Sequence, residues 1–441
     1  MRVLDRFAER LEGLRLGPCR VLVAVSGGGD SVALLDLLVQ CAEHHQLELI
    51  VAHIDHGIQP ESALVAHEVE ALAREYGLRY LGTRLELGPK TSETRARAAR
   101  YAWLRGTRHS SGARWILTAH HADDQRETVL MRALRGSGPA GLAGMPARER
   151  GVARPLLSFS RRTLRRYCRA RGLRWWNDPA NQDPRHLRSW IRGALLPDLA
   201  ERMPDIDHKL GELRRHAARD RRAWDEALWS WPGLDAAAEH GSCSVHWPVL
   251  LDLPATLAAC LAESLARSAG APAGPARVRR ALAALAFAQS GATADLTGGW
   301  RLELAFGRLR VVPPATQAAG APQLLASTEG QTRWGPWRIR WTSEPAPDAQ
   351  ARDGRTAWFI PAALALRPWR PGDRLAPLGG TGHRLAVRCF QDARVPRSER
   401  ISWPMVEGAG ALAWIPGVCR ADVLLPAPGA LAPRIDVEPH G

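Results

Sequence analysis

The hydrophobic positions of the N-terminal 200 residues alternate between two periods. Short apolar runs that are typical of buried strands are separated by longer stretches with apolar residues at helical spacing. The apolar runs predict strands at 21–25, 47–54, 80–87 and 115–119. The longer stretches predict helices at 31–45, 62–76, 92–110 and 122–135. This βαβα order predicts an α/β fold, a parallel sheet with helices on both faces.

The pattern changes after about residue 200, where helical periodicity dominates as far as residue 312. A proline-, glycine- and alanine-rich stretch at 313–323 predicts a linker, and short strands broken by proline and glycine follow it. We therefore predict a nucleotide-binding catalytic domain at 1–200, a mainly helical middle domain at 201–312 and a small α+β C-terminal domain at 325–441. The latter two domains are expected to bind the substrate.

The first predicted strand ends in the turn Ser-Gly-Gly-Gly-Asp-Ser at 26–31. A strand, a glycine-rich turn and a helix in this order bring backbone N–H groups and the positive end of the helix to one point, which favours an anion. The turn lacks the lysine of a P-loop and the spacing of the dinucleotide fingerprint. An acid such as Asp30 beside phosphates is unfavourable unless it binds Mg²⁺ or caps the helix. A phosphate site with magnesium and a capped structural turn are therefore the two alternatives, and the position at the end of a strand favours the phosphate site.

A second group of polar residues begins the fourth predicted helix. His120, Asp124 and Glu127 are spaced so that they share one helix face. Beside a phosphate turn, such a face predicts a site for Mg²⁺ or an ammonium group. The alternative is that acids in the first turn stabilise the helix dipole by about 0.3–1 kcal/mol each. His53 and His56 follow the second strand, where a nucleotide is expected, although residues 55–57 are also compatible with a simple turn.

The net charge of +15 changes this picture, because it predicts a polyanionic partner such as a nucleic acid. Only two of the 60 basic residues are lysine, which a GC-rich coding bias would explain. Such a bias does not explain the excess of bases over acids. Arg97, on the helix at 92–110, is a candidate to bind a phosphate, and a solvated basic face is the alternative. The arginine-rich stretch 161–174 is a second candidate phosphate surface.

Other features exclude several classes of protein. No run approaches the 18 apolar residues of a membrane span, and the N-terminus lacks the apolar core of a signal peptide. The seven cysteines are scattered without a C-x-x-C pair, which argues against a structural zinc site or a redox pair. We therefore expect a cytoplasmic protein with no membrane partner.

The turn at 26–31 resembles the SGGxDS loop of the PP-loop ATP pyrophosphatases. The segments that follow are similar in order and spacing to those of the tRNA(Ile)-lysidine synthetases. They are HIDHGI at 53–58, ETRARAARY at 93–101, TAHHADDQRETVLMRALRGSGPAGLAGM at 118–145, RPLL at 154–157 and NDPANQDPRHLRSWIR at 177–192. A partial resemblance continues at 367–380 and 394–406. The chain departs from that family's usual pattern at Ala180 and Ser189, where serine and asparagine are usual, and at His383 and Arg384, which stand where lysines are usual.

The resemblance implies ATP and Mg²⁺ as cofactors, and free L-lysine and an isoleucine tRNA with a CAU anticodon as substrates. ATP would activate the C2 oxygen of the wobble cytidine, and the ε-amine of lysine would then displace AMP. The implied catalytic residues are Asp30, Arg97, Asp124 and Glu127, with Asp30 and Asp124 as metal ligands. The residues assigned to ATP are Ser26, Gly27, Gly28, Gly29, Asp30, Ser31, His53, His56 and His120. Those assigned to tRNA are Arg135, Arg188 and Arg192.

Two other functions are compatible with this pattern. A tRNA thiolase of the same fold would deliver sulfur, but the absence of paired cysteines argues against it. A non-catalytic tRNA-binding protein is disfavoured because every residue of the glycine turn is present. The sequence leaves the oligomeric state open, with a homodimer as one option.

Overall fold

The computed structural model describes residues 2–55, 62–85, 91, 93–176, 187–239, 242–272, 274–314, 321–325 and 329–439. The chain divides into two compact units, Met1–Arg221 and Arg222–Gly441. Among the described helices, none has both the length and the apolar composition to cross a membrane.

The first unit is built on a parallel sheet. Its described strands are β1 (Cys19–Ala24), β2 (Leu47–Asp55), β3 (Arg79–Arg84), β4 (Trp115–Leu117), β5 (Arg148–Glu149) and β6 (Val152–Ala153). They lie in the order β3-β2-β1-β4-β6-β5, and only the edge pair β5–β6 among these described strands is antiparallel. The predicted parallel sheet is therefore confirmed, and the four predicted strands overlap β1 to β4.

Helices connect and cover these strands. They are α1 (Val3–Gly13), α2 (Gly29–Cys41), α3 (Ser62–Glu75), α4 (Glu93–Ser110), α5 (Ala122–Leu134), α6 (Pro139–Leu142), α7 (Arg161–Ala170), α8 (Leu187–Trp190), α9 (Leu196–Arg202) and α10 (Ile206–Ser230). A π-helical turn at Ile191–Leu195 joins α8 to α9. Such π-helical turns are rare in proteins, and many of those that occur lie at functional sites.

Strand β1 is buried on both faces. Its Val21 and Val23 pack into one apolar cluster with the leucines of α2. Leu22 points to the opposite face and packs with Leu104 of α4 and Ile116 of β4. This double burial explains the continuous apolar run in the sequence, since a central parallel strand has no solvated face. It also fixes the carboxyl end of β1, where the glycine turn begins.

The second unit contains two apolar cores. Around the first lie α11 (Trp247–Leu251), α12 (Ala255–Ala269) and α13 (Pro275–Leu285). These helices pack with β7 (Ala237–Glu239), β8 (Ser242–His246), β9 (Thr293–Asp295), β10 (Arg301–Ala305) and β11 (Arg308–Val312). The strands form a sheet in the order β7-β8-β11-β10-β9. The sequence predicted the helical character of this part but not its five-stranded sheet.

The C-terminal part of this unit is α+β, as expected. Its strands are β12 (Gln323–Leu324), β13 (Gly330–Trp334), β14 (Trp337–Pro345), β15 (Thr356–Trp358), β16 (Leu364–Pro368), β17 (Arg374–Leu375), β18 (Arg384–Leu385), β19 (Pro404–Gly408), β20 (Ala411–Ile415), β21 (Cys419–Arg420) and β22 (Leu431–Pro439). Two short helices, α14 (Ala386–Asp392) and α15 (Arg397–Arg400), complete it. The larger described sheets have the orders β12-β16-β19-β20-β21 and β13-β14-β22-β15. The Ser398 hydroxyl donates to Glu303 at 2.5 Å, and Arg310 pairs with Glu399, so α15 contacts β10 and β11.

Candidate active site

The glycine turn lies between the end of β1 and the start of α2. Gly27 has φ +82°, and a Cβ placed there would lie 2.5 Å from Val65 Cγ1, so this position requires glycine. The Ser31 hydroxyl donates to the Gly28 carbonyl at 2.8 Å and accepts from the Ser26 N–H at 3.1 Å. Ser31 is buried and maintains the shape of the turn, whereas Ser26 is exposed and its hydroxyl lies 3.2 Å from that of Ser31. The N-terminal amides of α2 and the exposed Ser26 hydroxyl therefore lie at the same end of the helix, and this arrangement favours an anionic ligand.

Two tryptophans support the turn from behind. The Trp176 N–H donates to the Gly27 carbonyl at 2.9 Å, and a Cβ on Gly29 would lie 3.2 Å from the Trp175 ring. Both indoles are half-buried against the core of the first unit. They pack against protein, which is the usual role of tryptophan. Trp190, by contrast, is 41% exposed.

Asp30 stands in the first turn of α2. Its Oδ2 lies 3.3 Å from His121 Nε2 and 3.6 Å from Arg161 Nε. Burial alone would raise the pKa of Asp30, but the contact with His121 and the charge of Arg161 lower it below its ordinary value. The other oxygen, Oδ1, is buried and accepts no hydrogen bond from the described residues. Asp30 is thus an anion with one oxygen left for a ligand.

His121 connects Asp30 to α5. It is the N-cap of α5: its Nδ1 accepts from the Asp124 N–H at 3.4 Å, and its own N–H donates to Asp124 Oδ2 at 3.0 Å. Because Nδ1 is an acceptor, Nε2 is the ring nitrogen that donates, and it faces Asp30 and lies 3.5 Å from Asp124. The sequence assigned the neighbouring His120 to ATP and gave no such bridging role to His121. A capping position one residue before a predicted helix was the available signal.

The carboxylates of α5 have arginine partners. Arg192 binds both oxygens of Glu127, at 2.5 Å and 2.9 Å. Arg188 donates to Glu127 at 2.7 Å and to Asp124 Oδ1 at 2.8 Å. Burial opposes ionisation of Glu127, yet the hydrogen bonds from Arg192 and Arg188 lower its pKa below the ordinary value. The predicted acids and two of the predicted tRNA-binding arginines therefore form one cluster, which the sequence did not foresee.

The two faces of α5 have different surroundings. A cavity of about 740 Å³ adjoins the face that carries Asp123, Arg126 and Val129. Asp123 accepts from the Arg161 N–H at 2.8 Å and thereby ties α5 to α7. Asp124 and Glu127 do not line this cavity. Both adjacent acids contact the ring of His121, Asp123 at Nδ1 (3.6 Å) and Asp124 at Nε2 (3.5 Å), and it is Nε2 that also contacts Asp30 of the glycine turn.

The remaining predicted residues differ in exposure. His53 is buried, and its Nδ1 lies 2.8 Å from the Val25 carbonyl just before the turn, while burial lowers its pKa. Burial, together with the cations of Arg154, Arg97 and Arg188, also lowers the pKa of His120, so both rings are neutral at pH 7. Arg97 lies 5.0 Å from the centre of the Tyr101 ring. Arg135 is exposed at the C-terminal end of α5. His56 and the segment 177–186, with Ala180, lie outside the described residues.

Comparison with known proteins gives two family matches. Residues 3–199 match the family described as PP-loop domain, and residues 364–430 match that described as TilS substrate C-terminal domain. A tRNA(Ile)-lysidine synthase of Symbiobacterium thermophilum is 33% identical over 95% of this chain and 94% of its own length. The synthase of that name from Pseudomonas aeruginosa is 32% identical over 90% of each chain. The one from Thermus thermophilus is 43% identical over 48% of this chain and 42% of its own.

Proposed function

Because the chain belongs to the tRNA(Ile)-lysidine synthase family and is an ATP-dependent ligase with a PP-loop domain, we propose that it joins free L-lysine to C2 of the wobble cytidine in the CAU anticodon of isoleucine tRNA. The reaction has two steps, adenylation of the C2 oxygen and displacement of AMP by the lysine amine. The observation that carries the proposal is the juxtaposition of the glycine turn, Asp30 and the Asp124–Glu127 cluster through His121.

In the first step the glycine turn holds the phosphates of ATP. The backbone N–H groups of Gly27, Gly28 and Gly29 and the Ser26 hydroxyl are the donors, and the positive end of α2 adds to the attraction. A Cβ on Gly28 would make only ordinary contacts with protein, so the space in front of this residue is left for the ligand. Ser31 and His53 act one layer behind, where they fix the turn and the preceding carbonyl.

The residues present fit a magnesium ion at Asp30. Its buried Oδ1 lacks a hydrogen-bond partner among the described residues, and a hard cation prefers such an oxygen. In the described part of the chain, no three His, Cys, Asp or Glu side chains are grouped to hold a metal ion. Asp30 would therefore supply one ligand. Asp124, the other predicted metal ligand, has its oxygens engaged by the His121 N–H and by Arg188, so we assign it to the lysine ammonium instead. Bound Mg²⁺ would shield the phosphate charge that leaves with pyrophosphate.

Arg97 and His120 act on the adenyl transfer itself. The charge of Arg97 lowers the pKa of His120, which places a fixed cation near a neutral imidazole. Arg97 is the group that meets negative charge developing on the α-phosphate as the cytidine oxygen attacks. His120 is neutral, so it can form a hydrogen bond to the substrate without adding a second positive charge. Its Nδ1 lies 2.8 Å from the Thr118 hydroxyl, which fixes the orientation of the ring.

In the second step the lysine ammonium, with an ordinary pKa of ~10.4, must lose a proton before it attacks. Asp124 is our candidate for the group that binds this ammonium and then accepts the proton. One of its oxygens caps α5 and the other meets Arg188, and its side chain is 12% exposed against 1% for Glu127. Glu127 is enclosed by two guanidinium groups and holds Arg188 and Arg192 in position. The arginines keep the acidic cluster neutral until the ammonium replaces the contact of Arg188 with Asp124.

The tRNA substrate is held by cations outside this cluster. Arg135 and the exposed arginines of α7, together with residues of the C-terminal segment, are the candidates for contacts with phosphates. Arg188 and Arg192, the other residues predicted to bind tRNA, already pair with Asp124 and Glu127, so we do not count them among the phosphate contacts. The boundaries 1–200, 201–312 and 325–441 and the cytoplasmic location remain predictions.

The reaction is tested by incubating the full chain with unmodified isoleucine tRNA, ATP, Mg²⁺ and radiolabelled L-lysine. We expect lysine in the tRNA in equal amount to AMP and pyrophosphate, and none with a tRNA whose wobble cytidine is replaced by uridine. Label from a sulfur donor instead of lysine would identify a thiolase. Binding of tRNA without release of pyrophosphate would identify a non-catalytic tRNA-binding protein.

A further inference from the structure

A second cavity lies in the C-terminal part of the chain, remote in sequence from the PP-loop domain. Its volume is about 590 Å³, and its lining includes Arg352, Arg384, Cys389, Asp392 and Cys419. Neither of the two chemical steps proposed above uses any of these five residues. The cavity is therefore a separate feature with its own chemistry.

The cavity brings two cysteines together. Cys389 lies on α14 and Cys419 on β21, and both belong to the same apolar core. Their thiols lie within interaction range of each other, and the Cys419 sulfur also lies 3.7 Å from the Arg420 carbonyl, to which a Cys419 thiol donates. The sequence does not predict this pair, because Cys389 and Cys419 are far apart in the chain and do not have the short spacing by which redox cysteines are recognised.

Positive charge surrounds the sulfur of Cys419. The Arg352 guanidinium contacts this sulfur, and Arg384, which pairs with Asp392 at 2.5 Å, lies close by. The hydrogen bond from Cys389 and the cation of Arg352, against the effect of burial, lower the pKa of Cys419 to about 6. The interaction with Cys419 and burial raise the pKa of Cys389. Both cysteines line the cavity together with Arg352 and Arg384, and the lowered pKa of Cys419 favours the thiolate at this position.

We propose that Cys419 is a modification site for hydroperoxides and that Cys389 converts its oxidised form into an intramolecular disulfide. The Cys419 thiolate attacks one oxygen of hydrogen peroxide, the O–O bond breaks, and hydroxide leaves to give a sulfenic acid. The Cys389 sulfur then attacks the Cys419 sulfur, forming the S–S bond and releasing water. Overall, two thiols lose two electrons and two protons to one peroxide, which becomes two molecules of water.

The other cysteines offer an internal standard. Burial raises the pKa of Cys41, Cys168 and Cys260, so each of these thiols stays protonated at neutral pH. Cys260 is only half-buried, so access does not explain a lack of reaction there. A thiolate reacts with peroxide and a thiol does not, so selectivity for Cys419 over Cys260 is expected.

The test uses the full chain in its folded state. The protein is treated with hydrogen peroxide, the peroxide is removed with catalase, and the protein is unfolded, alkylated, digested and analysed by mass spectrometry without reduction. We expect a peptide that joins Cys389 to Cys419, while Cys260 remains alkylated. In Cys389→Ser, a sulfenic acid on Cys419 should be trapped by dimedone. In Arg352→Gln, which alters an exposed residue, oxidation should be several-fold slower.

Three results would overturn the proposal. The first is that Cys389 and Cys419 remain as fully alkylated as Cys260 at every peroxide concentration. The second is that Cys419→Ser leaves Cys389 as reactive as the wild-type pair, which would assign the attack to the wrong sulfur. The third is that Arg352→Gln, with an unchanged unfolding temperature, is oxidised at the wild-type rate. None of these results depends on lysine transfer, so the proposed function is tested separately.

Discussion

The negative charges in the two acidic regions of the site are compensated differently. Asp30 keeps one buried oxygen without a hydrogen-bond partner among the described residues. Asp124 and Glu127 have their oxygens engaged by Arg188, Arg192 and the cap of α5. The first region is prepared to receive a cation, whereas the second already holds two. The carboxylates of the two regions therefore differ in whether they are already paired with arginine, and this pairing determines whether a further cation can bind directly.

This difference suggests an order of events. A cation that travels with ATP can bind Asp30 at once, because no protein cation must first leave its Oδ1. An ammonium that binds Asp124 must replace the contact of Arg188, which lies 2.8 Å away. Under the proposed function, Arg188 of α8 must therefore release Asp124 before lysine binds, and α8 is joined to α9 by the π-helical turn.

The largest effect is expected when the phosphate end of the site is filled. Gly28→Val should reduce ATP-dependent pyrophosphate release by about 10³-fold, the scale on which lost contacts to an oxyanion slow a reaction. The reason is steric: a Cβ at Gly28 meets no protein atom closer than 3.6 Å, so the protein accepts it, and the valine methyl groups are expected to occupy the space proposed for the phosphates. Thermal unfolding should be nearly unchanged, which is checked by calorimetry.

Gly27→Ala is the matched control for that variant. Its Cβ would lie 2.5 Å from Val65 Cγ1 in a left-handed conformation, so it should lower stability first. Near-normal ATP affinity in Gly28→Val would remove the glycine turn from the phosphate site.

The next largest effect concerns the acidic cluster. Glu127→Gln should lower the free energy of unfolding by about 3 kcal/mol, the low end for breaking a buried ion pair, because Arg188 and Arg192 retain partial contact with solvent. Denaturant titration measures this change. Glu212→Gln, at an exposed helix position with weak ion pairs, should change it by less than about 0.5 kcal/mol. Equal effects in the two variants would mean that the cluster does not hold the segment from α8 to α9.

The sequence predicted which strands and helices form this site, but it did not predict which charged side chains pair with one another. The strands β1, β2 and β4 and the helices α2 and α5 follow from apolar periodicity, since a central parallel strand and its crossover helix must both be buried. The pairing of Glu127 with Arg192 depends on how the chain returns after residue 186, and no local pattern encodes that path. For the same reason, the capping role of His121 could be predicted locally, but its contact with Asp30 on another helix could not.

A smaller effect is expected in the unfolding free energy as the pH is lowered. The folded-state pKa of Glu127 lies below its ordinary value of 4.5, so the unfolded state binds the proton more tightly. The stability that this carboxylate contributes is therefore present above about pH 4.5 and is lost as the pH falls below that value. The difference in unfolding free energy between wild type and Glu127→Gln should shrink between about pH 5 and pH 3. A difference that stays constant over this range would contradict the pairing.

The smallest effect separates exposed from paired arginines. Arg135→Ala should weaken tRNA binding several-fold and reduce the slope of log affinity against log salt by about 0.7–0.9, the loss of one phosphate contact. Arg202, which pairs with Asp198 at 2.9 Å on an exposed helix, provides the matched control, and Arg202→Ala should leave the slope unchanged. Identical slopes for both variants and the wild type would exclude Arg135 from the tRNA surface.

The division of labour between the two acidic regions is tested most directly by one single-turnover experiment on Asp30→Asn and Asp124→Asn. Pyrophosphate release and lysine incorporation are followed together with unmodified tRNA, labelled ATP and labelled lysine, after circular dichroism has shown that both variants are folded. The account predicts that Asp30→Asn loses both signals, whereas Asp124→Asn releases pyrophosphate, incorporates little lysine and accumulates adenylated tRNA. If Asp124→Asn loses pyrophosphate release to the same extent as Asp30→Asn, both acids serve ATP and the account is contradicted.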